Sequence, residues 1–234
     1  MLKRVRLLFF FFIGFISTAS AAPAVKIISL SGEVKVRRGV EETWHLAAAG
    51  MMLEEIDTIL TGEASAVVLE TPDGATFRLS NYAILDIADL RKITEREMFL
   101  YLMSNKVNQI PARQEKTRLR IGNVSVIHGG KAEPTHRATE DESQIWIQES
   151  NGAKALYDQH YYPNAVVKLH KILAKYPGLE DCGEIHFYLG KAFEALSKPG
   201  QAGDAYKIVL ARLCDDDTSK QRADEAREAI ERLK

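Results

Sequence analysis

The stretch Val25–Leu90, VKIISLSGEVKVRRGVEETWHLAAAGMMLEEIDTILTGEASAVVLETPDGATFRLSNYAILDIADL, decides the fold of this chain. Its short apolar runs are separated about every ten residues by turns that contain glycine, a spacing typical of small all-β domains. Apolar and charged residues alternate within the runs, as around Val34 and Val36, so that one face of each predicted strand is apolar. Pro72-Asp73-Gly74 has the residues that a tight turn favours and predicts a hairpin.

The order and spacing of residues in this stretch resemble the FecR domain. The segment Gly50–Gly62, GMMLEEIDTILTG, follows that family's pattern G-x-x-L-x-x-x-D-x-I-x-T-G position for position. Further matches flank it: Val34 and Val36 after Gly32, Trp44, and Asp73-Gly74 before Leu79. The resemblance implies a β-rich extracytoplasmic module. We do not expect the sigma-regulating role of the regulator that names the family, because only a few residues precede the first apolar run.

Residues 1–21 have the composition of a secretory signal peptide. Three basic residues precede the apolar run Leu7–Ile16, and the small residues Ala19-Ser20-Ala21 follow it, so cleavage after Ala21 is predicted. The alternative is an uncleaved anchor, although the run is shorter than the roughly 20 residues that a membrane span needs. No later run of the sequence is long and apolar enough to span a bilayer. We therefore expect a periplasmic or secreted protein of the exported bacterial type, with no membrane span after cleavage.

The predicted fold class is α+β with more than one domain. Residues 22–128 form the predicted FecR-like β domain, in which segment 117–128 alternates again and predicts one or two further strands. A helix is inserted at about 94–110, where Thr94 and Glu97 form a capping box. Residues 129–142 contain no large apolar side chain and predict a linker. Residues 143–234 have helical spacing.

The apolar stripe of the inserted helix has two interpretations. Phe99, Leu102 and Met103 fall at helical spacing. Such a stripe is more often a buried face than a binding surface, and burial is the expectation.

The helical segment repeats with an offset of 37 residues. Small residues match small ones and large apolar residues match large ones in five pairs: Ala153 with Gly190, Leu156 with Phe193, Ala165 with Ala202, Leu169 with Tyr206, and Ile172 with Val209. This pattern resembles the tetratricopeptide repeat (TPR), whose period is 34 residues. A last helix from about Thr218 to Leu233 caps the predicted array. Two repeats are fewer than the three or so that such arrays need, so the array must pack on the β domain, dimerise or be cross-linked.

The two cysteines offer that cross-link. Cys182 precedes the first helix of the second repeat and Cys214 follows its second helix, and these two ends are adjacent in an antiparallel pair. In an exported chain this arrangement predicts a disulfide. A redox-active dithiol is not predicted, because the sequence has no C-x-x-C.

No catalytic residue, metal site or cofactor is predicted. The sequence has no G-x-S-x-G, P-loop, dinucleotide fingerprint or H-E-x-x-H, and none of its six histidines has ligand spacing to a cysteine. Asp57 and Asp73 stand at turns, where carboxylates usually accept backbone hydrogen bonds. Because no acid–base pair can be nominated, a hydrolase of envelope polymers is not favoured.

The charge distribution excludes a strongly nucleic-acid-binding protein. The formal net charge is −1, but residues 91–140 carry 10 basic against 5 acidic side chains and lie between two acidic segments. The simplest interpretation is that these segments neutralise one another within the molecule. Nucleic acid is not an expected partner of an exported protein.

The TPR resemblance implies a concave face that binds a partner. Its expected lining residues are Lys154, Tyr157, Phe187, Lys191 and Glu194, although Tyr157 and Phe187 could instead pack within the array. The predicted function is a non-enzymatic exported envelope protein that binds another envelope protein or a cell-wall polymer. The alternative is a membrane-anchored extracytoplasmic sensing module. The sequence does not predict an oligomeric state.

Overall fold

The computed structural model describes residues 24–108 and 140–234. Within these ranges eight strands precede six α-helices, which confirms the α+β class. Three predictions lie outside the described residues: the signal peptide 1–21, the strands over 117–128 and most of the linker. The domain boundaries therefore stay predictions.

The described strands are β1 (Val25–Ser31), β2 (Val34–Arg37), β3 (Trp44–Leu46), β4 (Met52–Leu53), β5 (Thr58–Thr61), β6 (Ala66–Glu70), β7 (Thr76–Leu79) and β8 (Ala83–Asp86), followed by a 3₁₀ helix, Ile87–Leu90. The α-helices are α1 (Glu95–Asn108), α2 (Glu140–Asp158), α3 (Tyr162–Lys175), α4 (Glu184–Ala195), α5 (Pro199–Ala211) and α6 (Asp217–Arg232).

The strands form two antiparallel sheets with the orders β4-β1-β6-β7 and β3-β2-β5-β8. The predicted hairpin is present as β6 and β7, with Leu69 opposite Phe77. The inward faces of both sheets contribute to one core, which includes Ile27 and Phe77 from the first sheet and Val36 and Leu85 from the second. The period-two pattern of the sequence therefore predicted the buried faces of these strands.

Helix α1 begins at the predicted capping box. The Thr94 N–H donates to Glu97 Oε2 over 2.7 Å, and the Glu97 N–H donates to Thr94 Oγ1 over 3.2 Å. The expected burial of Phe99 and Met103 is wrong, since they are 55 % and 43 % exposed, whereas Met98 is buried. Helix α1 packs against α3 through the stripe that contains Met98. The buried face of α1 is therefore shifted by one residue from the predicted stripe of Phe99 and Met103.

Consecutive helices from α2 to α6 contact one another across short connections. All ten residues of the five matched pairs are buried, as the repeat predicted. Gly190 shows why one position must be small, because an added Cβ would lie 2.5–2.8 Å from the Tyr206 ring. Helix α2 begins at Glu140, so the last three residues of the predicted linker are helical.

Cys182 and Cys214 form a disulfide with their Cα atoms 5.2 Å apart, which confirms the predicted pairing. It joins the loop before α4 to the loop after α5. Disulfides persist mainly in oxidising compartments. Among the helices of residues 24–108 and 140–234, none is long and apolar enough to cross a membrane.

The helical array packs directly on the β sandwich. Leu156, Tyr161 and Ala165 belong to the core that the two sheets share. Helix α2 crosses strand β8 so closely that a Cβ added at Gly152 would overlap the Ile84 carbonyl oxygen. The undersized array is thus stabilised in two of the predicted ways, by packing on the sheets and by a disulfide.

Candidate functional site

A groove of about 520 Å³ lies on the helical array and is called the helical groove below. Its lining includes four of the five sequence-predicted binding residues, namely Tyr157 from α2 and Phe187, Lys191 and Glu194 from α4. Tyr206 from α5 and Glu225, Glu228 and Arg232 from α6 also line it. Helical periodicity brings the three α4 residues onto one face, because positions three and four apart are neighbours.

Five aromatic rings of the helical array form a continuous row, and three of them, Tyr157, Phe187 and Tyr206, line this groove. The centroids of successive rings are 5.4 Å apart for Tyr162–Tyr157, 5.7 Å for Tyr157–Tyr188, 6.0 Å for Tyr188–Phe187 and 6.2 Å for Phe187–Tyr206. Phe187 and Tyr206 are buried, whereas the other three rings are partly exposed. The row therefore stabilises the array at one end and offers aromatic surface at the other.

Lys191 lies at the centre of the row. Its Nζ is 5.4 Å from the ring centroid of Tyr157, 5.3 Å from that of Phe187 and 5.7 Å from that of Tyr188. An ammonium group at such distances is attracted by the negative faces of the rings. Among the described residues, no carboxylate lies within ion-pair distance of Lys191 Nζ. Its charge is thus held in place without being neutralised.

Two other charged residues of the groove, Glu194 and Arg232, are paired with each other. Arg232 donates to Glu194 Oε1 from Nη2 over 2.5 Å and from Nε over 3.2 Å. The Tyr206 hydroxyl donates to Glu194 Oε2 over 2.9 Å. Burial and this hydrogen bond raise the pKa of Tyr206, so it stays a protonated donor. Glu194 therefore has a partner on each of its carboxylate oxygens, whereas Lys191 has no charged partner among the described residues.

The fifth predicted residue, Lys154, lies in a neighbouring groove between α2 and strand β7. Its Nζ is 2.6 Å from Glu184 Oε1 and 5.6 Å from the centroid of Tyr188. The structure therefore separates Lys154 from the helical groove but leaves it in contact with the aromatic row.

Gln159 occupies the same neighbouring groove and pairs with the edge of β7. Its side-chain amide accepts the Arg78 N–H at 2.7 Å and donates to the Arg78 carbonyl at 2.8 Å. These two hydrogen bonds occupy the backbone groups that an adjacent strand would use.

Sequence reasoning missed a buried charge cluster at the junction of the two units. Lys168 is only 3 % exposed, and its Nζ lies 2.8 Å from Asp86 Oδ2 and 2.8 Å from Asp89 Oδ2. Burial by itself lowers the pKa of Lys168, but the two carboxylates raise it above its usual value. The available signal was a lysine within the apolar run Ala165–Leu169.

The two turn carboxylates act on the backbone. Asp57 accepts the N–H groups of Gly39 at 3.0 Å and Glu54 at 2.9 Å, which confirms its predicted capping role. Asp73 accepts the Ala75 N–H at 3.4 Å, and it also accepts from Thr71 Oγ1 at 2.5 Å and from Lys92 Nζ at 2.8 Å. Both side chains are therefore engaged in holding turns.

One cluster of metal-type ligands occurs within the described ranges, formed by Cys182, Cys214 and Asp216. Both sulfur atoms are already bonded to each other in the disulfide. Asp216 also accepts the Ser219 N–H at 2.8 Å as the N-cap of α6. The cluster is thus explained by its structural roles.

Comparison of the chain with protein-family models, with curated proteins and with solved structures finds no match.

Proposed function

We propose that this is a non-enzymatic exported protein of the cell envelope, periplasmic or secreted, that binds another envelope protein or a cell-wall polymer through the helical groove. It combines a FecR-like β module with a TPR-like helical array. The observation that carries the proposal is the charge of Lys191, which three aromatic rings hold in an accessible groove without a carboxylate partner among the described residues.

The chemistry of the groove favours binding over catalysis. Tyrosine and phenylalanine rings supply large contact areas at a small cost in conformational entropy, which is why they are enriched at binding surfaces. The carboxylate Glu194 is held by Arg232 and Tyr206. The disulfide supports an exported location, since such bonds persist mainly in oxidising compartments.

Photo-cross-linking in the native envelope tests this proposal. A photoreactive residue replaces Tyr157 in the helical groove, and a second form carries it at Phe99 on α1 as the control for random proximity. We expect one discrete cross-linked species from position 157 and none of the same mass from position 99.

Charge reversal provides the specificity control. Lys191→Glu should abolish the cross-link, whereas Lys207→Glu, an exposed lysine of α5 that pairs with Asp204, should leave it unchanged. Equal labelling by both variants contradicts a role for the groove. Mass spectrometry of the native protein tests the location, and a chain that retains residues 1–21 contradicts the proposed cleavage.

A further inference from the structure

We propose that the groove between α2 and strand β7 binds the head group of an α-amino acid, with Asp158 holding its ammonium and Arg78 its carboxylate. This groove, which contains Lys154 and Gln159, is called the polar groove below. The inference goes beyond the proposed function, because it concerns a second site and a small ligand. Three observations carry it: the composition of the lining, the hydrogen bonds that fix the two walls, and two opposite charges without partners.

The lining of the polar groove is almost entirely hydrophilic. The groove has a volume of about 630 Å³, and apart from two alanines each described residue that lines it is polar or charged. It lies where the helical array meets the β sandwich, and ligand sites occur preferentially at such interfaces. A lining of this kind gives an acyl chain or an apolar peptide little to pack against, so it favours a small hydrophilic ligand.

Hydrogen bonds hold the two walls of the polar groove at a fixed separation. Asn151 Nδ2 donates to the Tyr82 carbonyl over 2.7 Å. Eight residues further along the chain, the Gln159 amide accepts the Arg78 N–H at 2.7 Å and donates to the Arg78 carbonyl at 2.8 Å. The fold therefore sets the width of the groove, which reduces the ordering cost of binding a ligand.

Two opposite charges lie on opposite walls of the polar groove. Arg78 belongs to β7 and Asp158 is the last residue of α2, and both are exposed. Among the described residues, neither side chain has an oppositely charged group within ion-pair distance, whereas Lys154 is neutralised by Glu184 at 2.6 Å. A ligand that carries one charge of each sign is therefore complementary to this groove.

The position of Asp158 favours an ammonium group in particular. The C-terminus of a helix carries partial negative charge, and the last turn of α2 has no basic residue. The Asp158 carboxylate adds to this negative charge, so a cation beside it is favoured twice. The guanidinium of Arg78 has the planar fork that suits a carboxylate. The head group of an α-amino acid carries both partners on one carbon atom.

The length of the polar groove favours an amino acid with a long polar side chain. Four lining residues, Asn151, Lys154, Ala155 and Asp158, lie on one face of α2. The seven-residue step from Asn151 to Asp158 corresponds to about 10 Å along the helix. Asn81 of the other wall has a side-chain amide that can both donate and accept. A free diamino acid and a cell-wall peptide that carries one share this chemistry.

Isothermal titration calorimetry with the full exported chain tests the proposal. The probe is meso-diaminopimelate, which has two amino-acid head groups on one carbon chain. Heptanedioate lacks its ammonium groups, and 1,5-diaminopentane lacks its carboxylates. The tripeptide L-alanyl-γ-D-glutamyl-meso-diaminopimelate represents a cell-wall peptide, and a hexamer of β-1,4-linked N-acetylglucosamine represents a neutral sugar.

We expect saturable binding of meso-diaminopimelate. Heptanedioate and 1,5-diaminopentane should each bind at least about tenfold more weakly, because each leaves one charge of the groove without a partner. Binding of the tripeptide at least as tight as that of the free diamino acid supports a cell-wall peptide as the source of the head group. Binding of the tripeptide about tenfold weaker supports the free diamino acid.

Variants of the protein assign the two contacts. Asp158→Asn should remove the preference for meso-diaminopimelate over heptanedioate, and Arg78→Gln should remove the preference over 1,5-diaminopentane. Asp204→Asn, at an exposed aspartate of α5, and Lys191→Glu, in the helical groove, should change neither. Melting curves add a readout of stability. The melting temperature of Asp158→Asn should stay the same or rise, because the substitution removes a negative charge from a helix C-terminus.

Three binding results would each overturn the inference: no binding of meso-diaminopimelate, equal affinity for it and either analogue, or preferential binding of the sugar. A lower melting temperature of Asp158→Asn would also contradict it, because Asp158 would then have a structural role. The proposed function fails separately. If position 157 cross-links to an envelope partner while meso-diaminopimelate does not bind, only the inference on the polar groove is wrong. If meso-diaminopimelate binds and the cross-link is absent, only the role of the helical groove is contradicted.

Discussion

Two lysines of the helical array lie in opposite environments. Lys168, at the junction with the β sandwich, is 3 % exposed and contacts two carboxylates at 2.8 Å. Lys191, in the helical groove, is partly exposed and is surrounded by three aromatic rings. The junction neutralises its charges internally, whereas the groove leaves the charge of Lys191 without a carboxylate partner among the described residues.

The different environments of the two lysines suggest different roles for their charges. A buried charge is tolerated when its partners are present, and it then fixes the relative position of the elements that supply them. A charge positioned by aromatic rings contributes little to stability but remains able to pair. The junction is therefore expected to dominate folding, and the groove to dominate binding.

The largest effect is expected at the junction, from Lys168→Ala. Removing this lysine leaves Asp89, only 7 % exposed, without its main partner, and should lower the free energy of unfolding by about 3–5 kcal/mol. Lys171→Ala is the matched control, because Lys171 contacts the same carboxylate at 3.3 Å but is 48 % exposed. It should cost at most about 1 kcal/mol. Urea unfolding followed by tryptophan fluorescence measures both, and equal losses would contradict the comparison.

Close packing at the junction is tested by Gly152→Ala. The added methyl group would overlap the Ile84 carbonyl oxygen and force α2 away from β8, at a cost of about 2–3 kcal/mol. Gly203→Ala on α5 should have the opposite sign, because no atom lies within 4 Å of the added Cβ and alanine favours a helix by about 0.5–1 kcal/mol. Thermal unfolding curves distinguish the two. A stabilising effect at both positions would show that the junction is loosely packed.

A third basic side chain, His170, is partly buried and has no ion-paired carboxylate among the described residues. Burial, and to a smaller extent the neighbouring His186, lower the pKa of His170 from 6.5 to about 4. The unfolded state therefore binds a proton more readily, so stability is full above pH 6.5 and falls as the pH decreases towards 4. His170 should therefore lower the free energy of unfolding by about 2 kcal/mol between pH 7 and pH 5.

Urea unfolding at the two pH values measures this loss in the wild type and in His170→Gln. The variant cannot titrate at this position and should lose about 2 kcal/mol less between pH 7 and pH 5. If the wild type and the variant have the same pH dependence, the pKa of His170 is not lowered in the folded protein.

The smallest effect on stability is expected in the helical groove, from Lys191→Met. Loss of its contacts with the rings should change the free energy of unfolding by less than about 1 kcal/mol. The same substitution should nevertheless remove partner cross-linking at position 157. A destabilisation as large as that of Lys168→Ala would mean that Lys191 has a structural role.

Local patterns in the sequence predicted much of this molecule. Alternation predicted the strands that carry Val34 and Val36, and the offset of 37 residues predicted which helical positions are buried. These features depend on neighbours within a few residues or on a repeated unit, so they are visible in a linear sequence. The same repeat brought Tyr157 and the α4 residues to one groove.

The junction could not be predicted because its contacts join distant parts of the chain. Lys168 and Asp86 are 82 residues apart, and Gln159 and Arg78 are 81 residues apart. No spacing rule links such pairs before the docking of α2 and α3 on the sheets is known. The phase of α1 was missed for a related reason, since both Met98 and Phe99 lie on stripes of acceptable helical spacing and only the position of α3 selects Met98.

The pairing of Gln159 with Arg78 has a consequence for how this chain avoids aggregation. An uncovered edge strand is a template on which another chain can add a strand. Because the cover of β7 comes from the end of α2, the β sandwich has a closed edge at Arg78 only after the helical array has docked. Docking of the array should therefore hinder the β7 edges of two chains from pairing with each other.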